Sequence, residues 1–321
     1  MPKSPIHSFA RVGALLCALP LLLSAGEPKP VPRIQAVPQP ESQISFQRDG
    51  IEITRLYFGS ELRRPFLFPV VGPSGRSLTR MGHPHDPETH SHHNSFWISH
   101  QNVGGVNFWE DRSPIRIAQQ RVLRFEDSDA EAFVETENAW LDKDGKETIH
   151  ELRRTAVRPR DKGEWLLELD LEFQAREKPV TFGQTAFGVI GVRMAKTIGV
   201  ADGGGTIRNS EGDLDEEGCF RKPARWCDYS GPIATGKIEG ITLLDHPANA
   251  NSPVPFHVRN DGWMGAAVSF PGPIEVKPGE PLRLRYALYI HSGPASPPQI
   301  ENEWASFAKS EWRQFAVKKP K

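Results

Sequence analysis

Trp165-Leu-Leu-Glu-Leu-Asp-Leu-Glu-Phe173 decides the fold class. Trp165, Leu167, Leu169, Leu171 and Phe173 alternate with Leu166, Glu168, Asp170 and Glu172. In an extended chain successive side chains point to opposite faces, so this segment has one apolar face and one mostly charged face. Strands of that kind belong to antiparallel sheets packed on one side and wet on the other. Leu282, Leu284, Tyr286, Leu288 and Ile290 repeat the pattern. Weaker versions run over residues 51–58, 120–125, 180–188, 237–244 and 263–270. Turn signals at Asp144-Gly145, Asp161-Lys-Gly163 and Pro278-Gly279 separate them. So many strands must stack or close, and the expectation is an all-β fold: one large antiparallel β-sandwich over residues 43–317.

One helix is expected, over residues 297–317. Ser296-Pro-Pro-Gln299 has the form of a capping box with proline in the first turn. Trp304, Phe307, Ala308, Trp312, Phe315 and Ala316 then fall on one stripe, which reads as a core-docking face.

At the other end, Lys3 and Arg11 precede an apolar stretch from Val12 to Leu23 that closes on Ser24-Ala25-Gly26. This is the layout of a secretory signal over residues 1–26. The stretch is short of the roughly 20 apolar residues that a membrane span needs. A secreted or periplasmic protein is expected, with no stable span after cleavage. Residues 27–42, with prolines at 28, 30, 32, 38 and 40, read as an extended linker. Cleavage would remove Cys17 and leave Cys219 and Cys227, which could close a disulfide or stay as two buried thiols. The charge is balanced, 39 basic against 40 acidic residues, which argues against a nucleic-acid partner.

The chemistry concentrates between Gly82 and Trp109, where six of the eleven histidines lie: His83, His85, His90, His92, His93 and His100. Imidazole titrates near neutrality and is the commonest metal ligand. If residues 90–97 are extended, His90 and His92 share a face and could hold a divalent metal with His100. A metal-free site would use the same rings as general acids and bases on a sugar; a histidine-rich surface loop is the plain alternative. Pro84 and Pro87 make His83 and His85 weaker candidates than His92 and His93. Trp97, Asn107 and Trp109 supply aromatic and amide surface for a ligand. Further along, Arg193 ends a strand and suits a carboxylate or hydroxyls. Asn209 and Glu211 follow a glycine-rich loop, and His246, Asn249 and His257 form a third polar group.

These residues in combination resemble the bacterial PmoA-like family, whose members carry the label methane oxygenase PmoA. The resemblance rests on Arg64-Pro-Phe-Leu-Phe-Pro-Val-Val-Gly-Pro-Ser-Gly75, Thr89-His-Ser-His-His93 and Gly104-Gly-Val-Asn-Phe-Trp109. It continues through Phe187 to Arg193, Asn209-Ser-Glu-Gly212, Ala224-Arg-Trp226, His246-Pro with Asn249, and His257-Val-Arg259. Thr89 and Asn107 stand where the pattern has aspartates, Asn94 where it has arginine and Gly104 where it has asparagine. The resemblance implies a supersandwich like that of galactose mutarotase, in a family associated with sugar catabolism. The expected function is acid–base chemistry on a sugar or oligosaccharide, with His92, His93, His100 and Glu211 as catalytic groups. Trp97, Asn107, Trp109, Arg193, Asn209, Trp226, His246, Asn249 and His257 are the expected ligand contacts. A non-catalytic sugar-binding protein and a metal-dependent oxygenase or hydrolase are the alternatives.

Overall fold

Burial of the alternating strands organises the molecule. The computed structural model describes residues 1–2, 30–112 and 114–316; the segment expected to be a secretory signal, residues 1–26, lies almost wholly outside the described residues. The first strands are β1 (Ile34–Gln39), β2 (Gln43–Arg48), β3 (Ile51–Tyr57), β4 (Phe66–Val70) and β5 (Phe96–His100). Long strands follow, β6 (Arg116–Asp127), β7 (Ala132–Leu141), β8 (Glu147–Pro159) and β9 (Trp165–Gln174). Next come β10 (Val180–Phe182), β11 (Gly188–Arg193), α1 (Val200–Gly203), β12 (Thr206–Asn209) and α2 (Asp215–Cys219). The second half adds β13 (Lys222–Pro223), β14 (Trp226–Ala234), β15 (Lys237–Asp245), β16 (Pro255–Arg259) and β17 (Trp263–Ala266). The chain closes with β18 (Ile274–Val276), β19 (Leu282–Ser292) and α3 (Pro297–Ala308).

Two large antiparallel sheets result, with β10 and β18 as a separate two-stranded pair. The nine-stranded sheet runs β1-β2-β3-β4-β5-β11-β17-β16-β13, and the eight-stranded sheet runs β12-β14-β15-β19-β9-β8-β7-β6. Their facing sides make the core. Phe96, Ile98, Val192, Phe256 and Met264 come from the first sheet, and Trp140, Leu167, Leu169, Leu171, Leu284 and Leu288 from the second. Burying a side chain of this size stabilises by about 1.5–3 kcal/mol, so this interior dominates the folding energy. The fold is an all-β sandwich with a C-terminal helix.

Several local expectations need correction. Ile34–Gln39, inside the segment read as linker, forms β1 and pairs with β2 from Ile34↔Arg48 to Gln39↔Gln43. β1 ends the order of the nine-stranded sheet, a position that tolerates Pro38, which has no N–H for a ladder. Residues 180–188 do not make one strand; β10 stops at Phe182 and pairs with β18, and β11 starts at Gly188. The helix stops at Ala308, and its capping box does not form: Ser296 makes no side-chain cap bond. Gln299 instead donates to Glu164 at 3.0 Å. Cys219 and Cys227 are buried free thiols in contact with each other.

The outer face of the eight-stranded sheet is also drier than alternation implies. Glu168, Asp170 and Glu172 are buried. They are neutralised across the sheet, with Arg285 Nε–Asp170 Oδ1 at 2.7 Å and Arg283 Nε–Glu172 Oε2 at 2.8 Å. α3 and the segment after it cover this face. Trp304 donates to the Asp245 carbonyl at 2.9 Å, Arg285 to the Ser310 carbonyl at 2.5 Å, and Phe307 packs edge-on against His246. Paired charges and a covering segment solve the burial problem that unpaired carboxylates would pose.

Candidate functional site

The outer face of the nine-stranded sheet carries a different arrangement, a buried aromatic floor beneath a cleft. Strand alternation chooses its residues. On β5, Phe96, Ile98 and His100 face the core, which leaves Trp97 on the outer side. Cross-strand register then lines up Trp97, Gly191 of β11, Gly265 of β17 and His257 of β16. The neighbouring row is Arg193, Trp263 and Arg259. The two glycines make room for the indoles. A Cβ on Gly191 would sit 2.6 Å from the Trp97 ring, and one on Gly265 would sit 2.7 Å from Trp263. Trp97, Trp109 and Trp263 accordingly pack together, with ring centroids 5.3–5.5 Å apart.

The long connection between β4 and β5 folds over this floor. Residues 87–92 form turns rather than a strand, with the His93 amide bonded back to the His90 carbonyl at 3.1 Å. His90, His92 and His93 therefore do not alternate; they cluster with His83 at centroid separations of 4.6–6.1 Å. His93 stacks on both Trp97 (5.5 Å) and Trp263 (5.4 Å, 12° between planes). Arg64, buried, ties the turn to the segment after β5 through Asn94 Oδ1 (2.7 Å), the Trp109 carbonyl (3.0 Å) and Asp111 Oδ1 (2.6 Å).

Between turn and floor lies a cleft of about 580 Å³. His83, His90, His92, His93 and His257 line it, with Trp109, Trp263, Phe187 and Phe220 as apolar wall. Arg112, Arg193, Arg221 and Arg259 face it as cations, against Glu110 and Asp261 as carboxylates. His92, His93, Trp109, Arg193 and His257 were sequence candidates; all five meet here. His83 also lines the cleft, ahead of its expected rank, while His85 turns away to Asp202 at 2.8 Å.

The hydrogen bonds assign distinct states to the rings. His83 Nδ1 accepts the amides of His85 and Asp86 at 3.0 Å each, so its Nε2–H donates to Asp261 Oδ2 at 2.7 Å. Arg193 holds the same carboxylate through Oδ1 at 3.0 Å. Burial works against the Asp261 charge, but Arg193 and His83 outweigh it and keep its pKa below the usual carboxylate value. His90 Nδ1 meets Asp86 Oδ2 at 2.9 Å, and Thr89 bonds the same carboxylate. Asp86 thus places a carboxylate beside His90. Burial, then the Arg64 charge, brings the His92 pKa down to about 4. Burial alone is the leading cause that brings His257 to about 4, and its Nδ1 donates to the Ala186 carbonyl at 3.3 Å. Both rings are neutral at pH 7. His93 Nδ1 and Trp263 Nε1 are buried without a hydrogen-bond partner in the protein.

The other sequence candidates lie elsewhere. His100 shares the core face of β5, bonded to Ser269 Oγ at 2.8 Å, so it cannot join His90 and His92 around a metal. Among the described residues no three His, Cys, Asp or Glu side chains converge as metal ligands. Trp97 supports the floor from beneath His93, and Asn107 Oδ1 caps the turn by accepting the Trp109 amide at 2.9 Å. Asn209, Glu211, Trp226, His246 and Asn249 belong to the eight-stranded sheet and its connections. Asn209 staples a loop through Asp213, Glu211 pairs with Arg225, and Trp226 donates to Glu301. His246 abuts Phe307, and Asn249 holds Asp245 at 2.8 Å. Asp261 and Trp263 were missed; both sit at the β16–β17 turn, a hairpin whose link to β11 depends on register. The signal that could have found them is the run Arg259-Asn-Asp-Gly-Trp263, a turn motif between an arginine and an indole.

A protein-family model described as a family of unknown function, DUF6807, matches residues 43–305. The chain belongs to that family. No curated protein matches it.

Proposed function

We propose that this DUF6807 member is an exported, carbohydrate-active protein of the PmoA-like kind, with its chemistry in the histidine cleft. The observation that carries the reading is the meeting of neutral imidazoles, a fixed carboxylate and indole faces in one hollow of about 580 Å³. That volume lies in the range that encloses a small organic ligand. The apolar wall made by Trp109, Trp263, Phe187 and Phe220 suits the C–H side of a sugar ring, and the polar atoms around it suit its hydroxyls. His92 has no protein partner on its ring among the hydrogen bonds of the site, and His257 keeps Nε2 as its lone-pair nitrogen because Nδ1 donates to Ala186. Either ring can take or return a proton at a sugar hydroxyl or ring oxygen. His83 and Arg193 act on Asp261, holding it charged and oriented toward a ligand hydroxyl.

The test is a panel of mono- and oligosaccharides followed by NMR, which sees mutarotation, elimination and hydrolysis alike. Replacing both His92 and His257 with Gln should cut turnover by about 10²–10⁴, the range for losing acid–base groups, with the circular-dichroism spectrum unchanged. Glu211→Gln should leave turnover as it was, because Glu211 hangs on the other sheet. Undiminished turnover in the double variant would reject the assignment of these rings. Ligand-induced stabilisation with no product from any sugar would reduce the function to binding.

A further inference from the structure

We propose that the ligand of this cleft is a sugar acid, and that Arg221 receives its carboxylate. The inference deepens the carbohydrate reading above and rests on it. Four guanidinium groups face the cleft against two carboxylates, so the lining carries surplus positive charge at neutral pH. The pairings show where the surplus resides. Arg193 is matched by Asp261 at 3.0 Å, Arg259 by Glu216 at 2.9 Å, and Arg112 by Glu110 at 3.7 Å. Arg221 has no acidic partner among the described residues.

Its setting fits a planar anion. The guanidinium lies over the Phe220 and Phe270 rings, 4.8 and 5.1 Å from their centroids. Aromatic faces hold it flat and leave the N–H edge for the fork geometry that a carboxylate matches with two parallel bonds. The backbone adds an independent sign. Arg221 has φ 57°, a left-handed conformation that favours glycine or asparagine. Its amide is fixed there by a bond to the Phe256 carbonyl at 2.7 Å. A long cationic side chain in such a position is disfavoured locally, a pattern concentrated at ligand sites. Phe220, the residue before it, touches His257 with centroids 5.0 Å apart. An anion docked on Arg221 would therefore offset its positive charge beside His257 and raise the pKa of that ring, with burial still holding it below 6.5.

Calorimetry on matched pairs tests this: methyl glucoside against methyl glucuronoside, and methyl galactoside against methyl galacturonoside. In each pair only the C6 group differs. The wild-type protein should bind the acid about tenfold tighter or better, the gain from one charge-assisted fork. Arg221→Gln should erase that preference, and Arg221→Lys, which keeps charge without the fork, should restore part of it. The NMR pKa of His257 should rise on binding the acid and stay put with the neutral partner. Equal or tighter binding of the neutral members would overturn the proposal and leave the carbohydrate reading standing. So would a preference that survives Arg221→Gln, or tighter binding of galactose 6-sulfate than of the uronates. No binding by any member would overturn this inference, and the panel of mono- and oligosaccharides then decides the carbohydrate reading on its own.

Discussion

At the scale of single residues, the two glycines under the indoles decide how the aromatic floor packs. Gly191→Ala places a methyl 2.6 Å from the buried Trp97 ring, which has Trp109 and Trp263 behind it and cannot retreat. Overpacking of this kind costs about 1–3 kcal/mol. The modest entropy gain of alanine over glycine, about 0.4–1 kcal/mol, does not offset it. Urea unfolding of Gly191→Ala should show a lower midpoint at unchanged slope. The displaced indole should also shift the tryptophan fluorescence. Single residues were legible in the sequence only where alternation reached them. His100 shares parity with Phe96 and Ile98, a sign of the core that its reading as a catalytic group passed over. His92 and His93 were legible as a chemical cluster, but not their joint orientation, because a turn rather than a strand carries them. Asp261 needed the register of β11 against β17, a contact between distant segments that no local pattern encodes.

At the scale of elements, α3 illustrates how a correct stripe can hide the wrong boundary. Trp304 and Phe307 dock as the apolar periodicity implies, while Trp312 lies beyond the helix in an irregular segment and packs against Arg283. Phe307 is buried and packs edge-on against His246 at 5.1 Å. Phe307→Ala should cost about 3 kcal/mol, the lower end for losing a buried phenyl ring. It should also hydrate His246, whose pKa is brought to about 4 by burial first and then by Arg285. An NMR titration of the variant should find that ring moving back toward 6.5. Because α3 covers the eight-stranded sheet, ligand binding in the cleft should survive the change. The long strands β9 and β19 were legible from their alternation. The short ones, β10, β13 and β18, were not, since two or three residues carry no period.

At the scale of the whole molecule, the buried histidines set the response to acid. His92, His100, His246 and His257 are each brought to about 4, chiefly by burial. In the unfolded chain these rings return to about 6.5. The unfolded state then binds more protons throughout the interval between the two values, so stability is full above it and falls as the pH drops through it. Asp245, pushed up to about 6 by burial, works in the opposite sense, as does His291, whose contact with Asp228 overrides its burial. The depressed rings outnumber them. Thermal unfolding followed across pH should give a Tm that is level near neutrality and declines from about pH 6.5 to about pH 4. A Tm that rose over that interval would contradict the burial assigned to these rings.

The row of side chains beneath the cleft has a consequence for biogenesis. Its members come from β5, β11, β16 and β17, and distant strands associate slowly because the chain must first close long loops. A nascent polypeptide halted before Pro255 would display every imidazole of the early turn and none of the groups supplied by β16 and β17. Competence to bind would then arrive only once β16 and β17 had been made. A ligand could not shepherd the growing chain, and would instead report that assembly had finished.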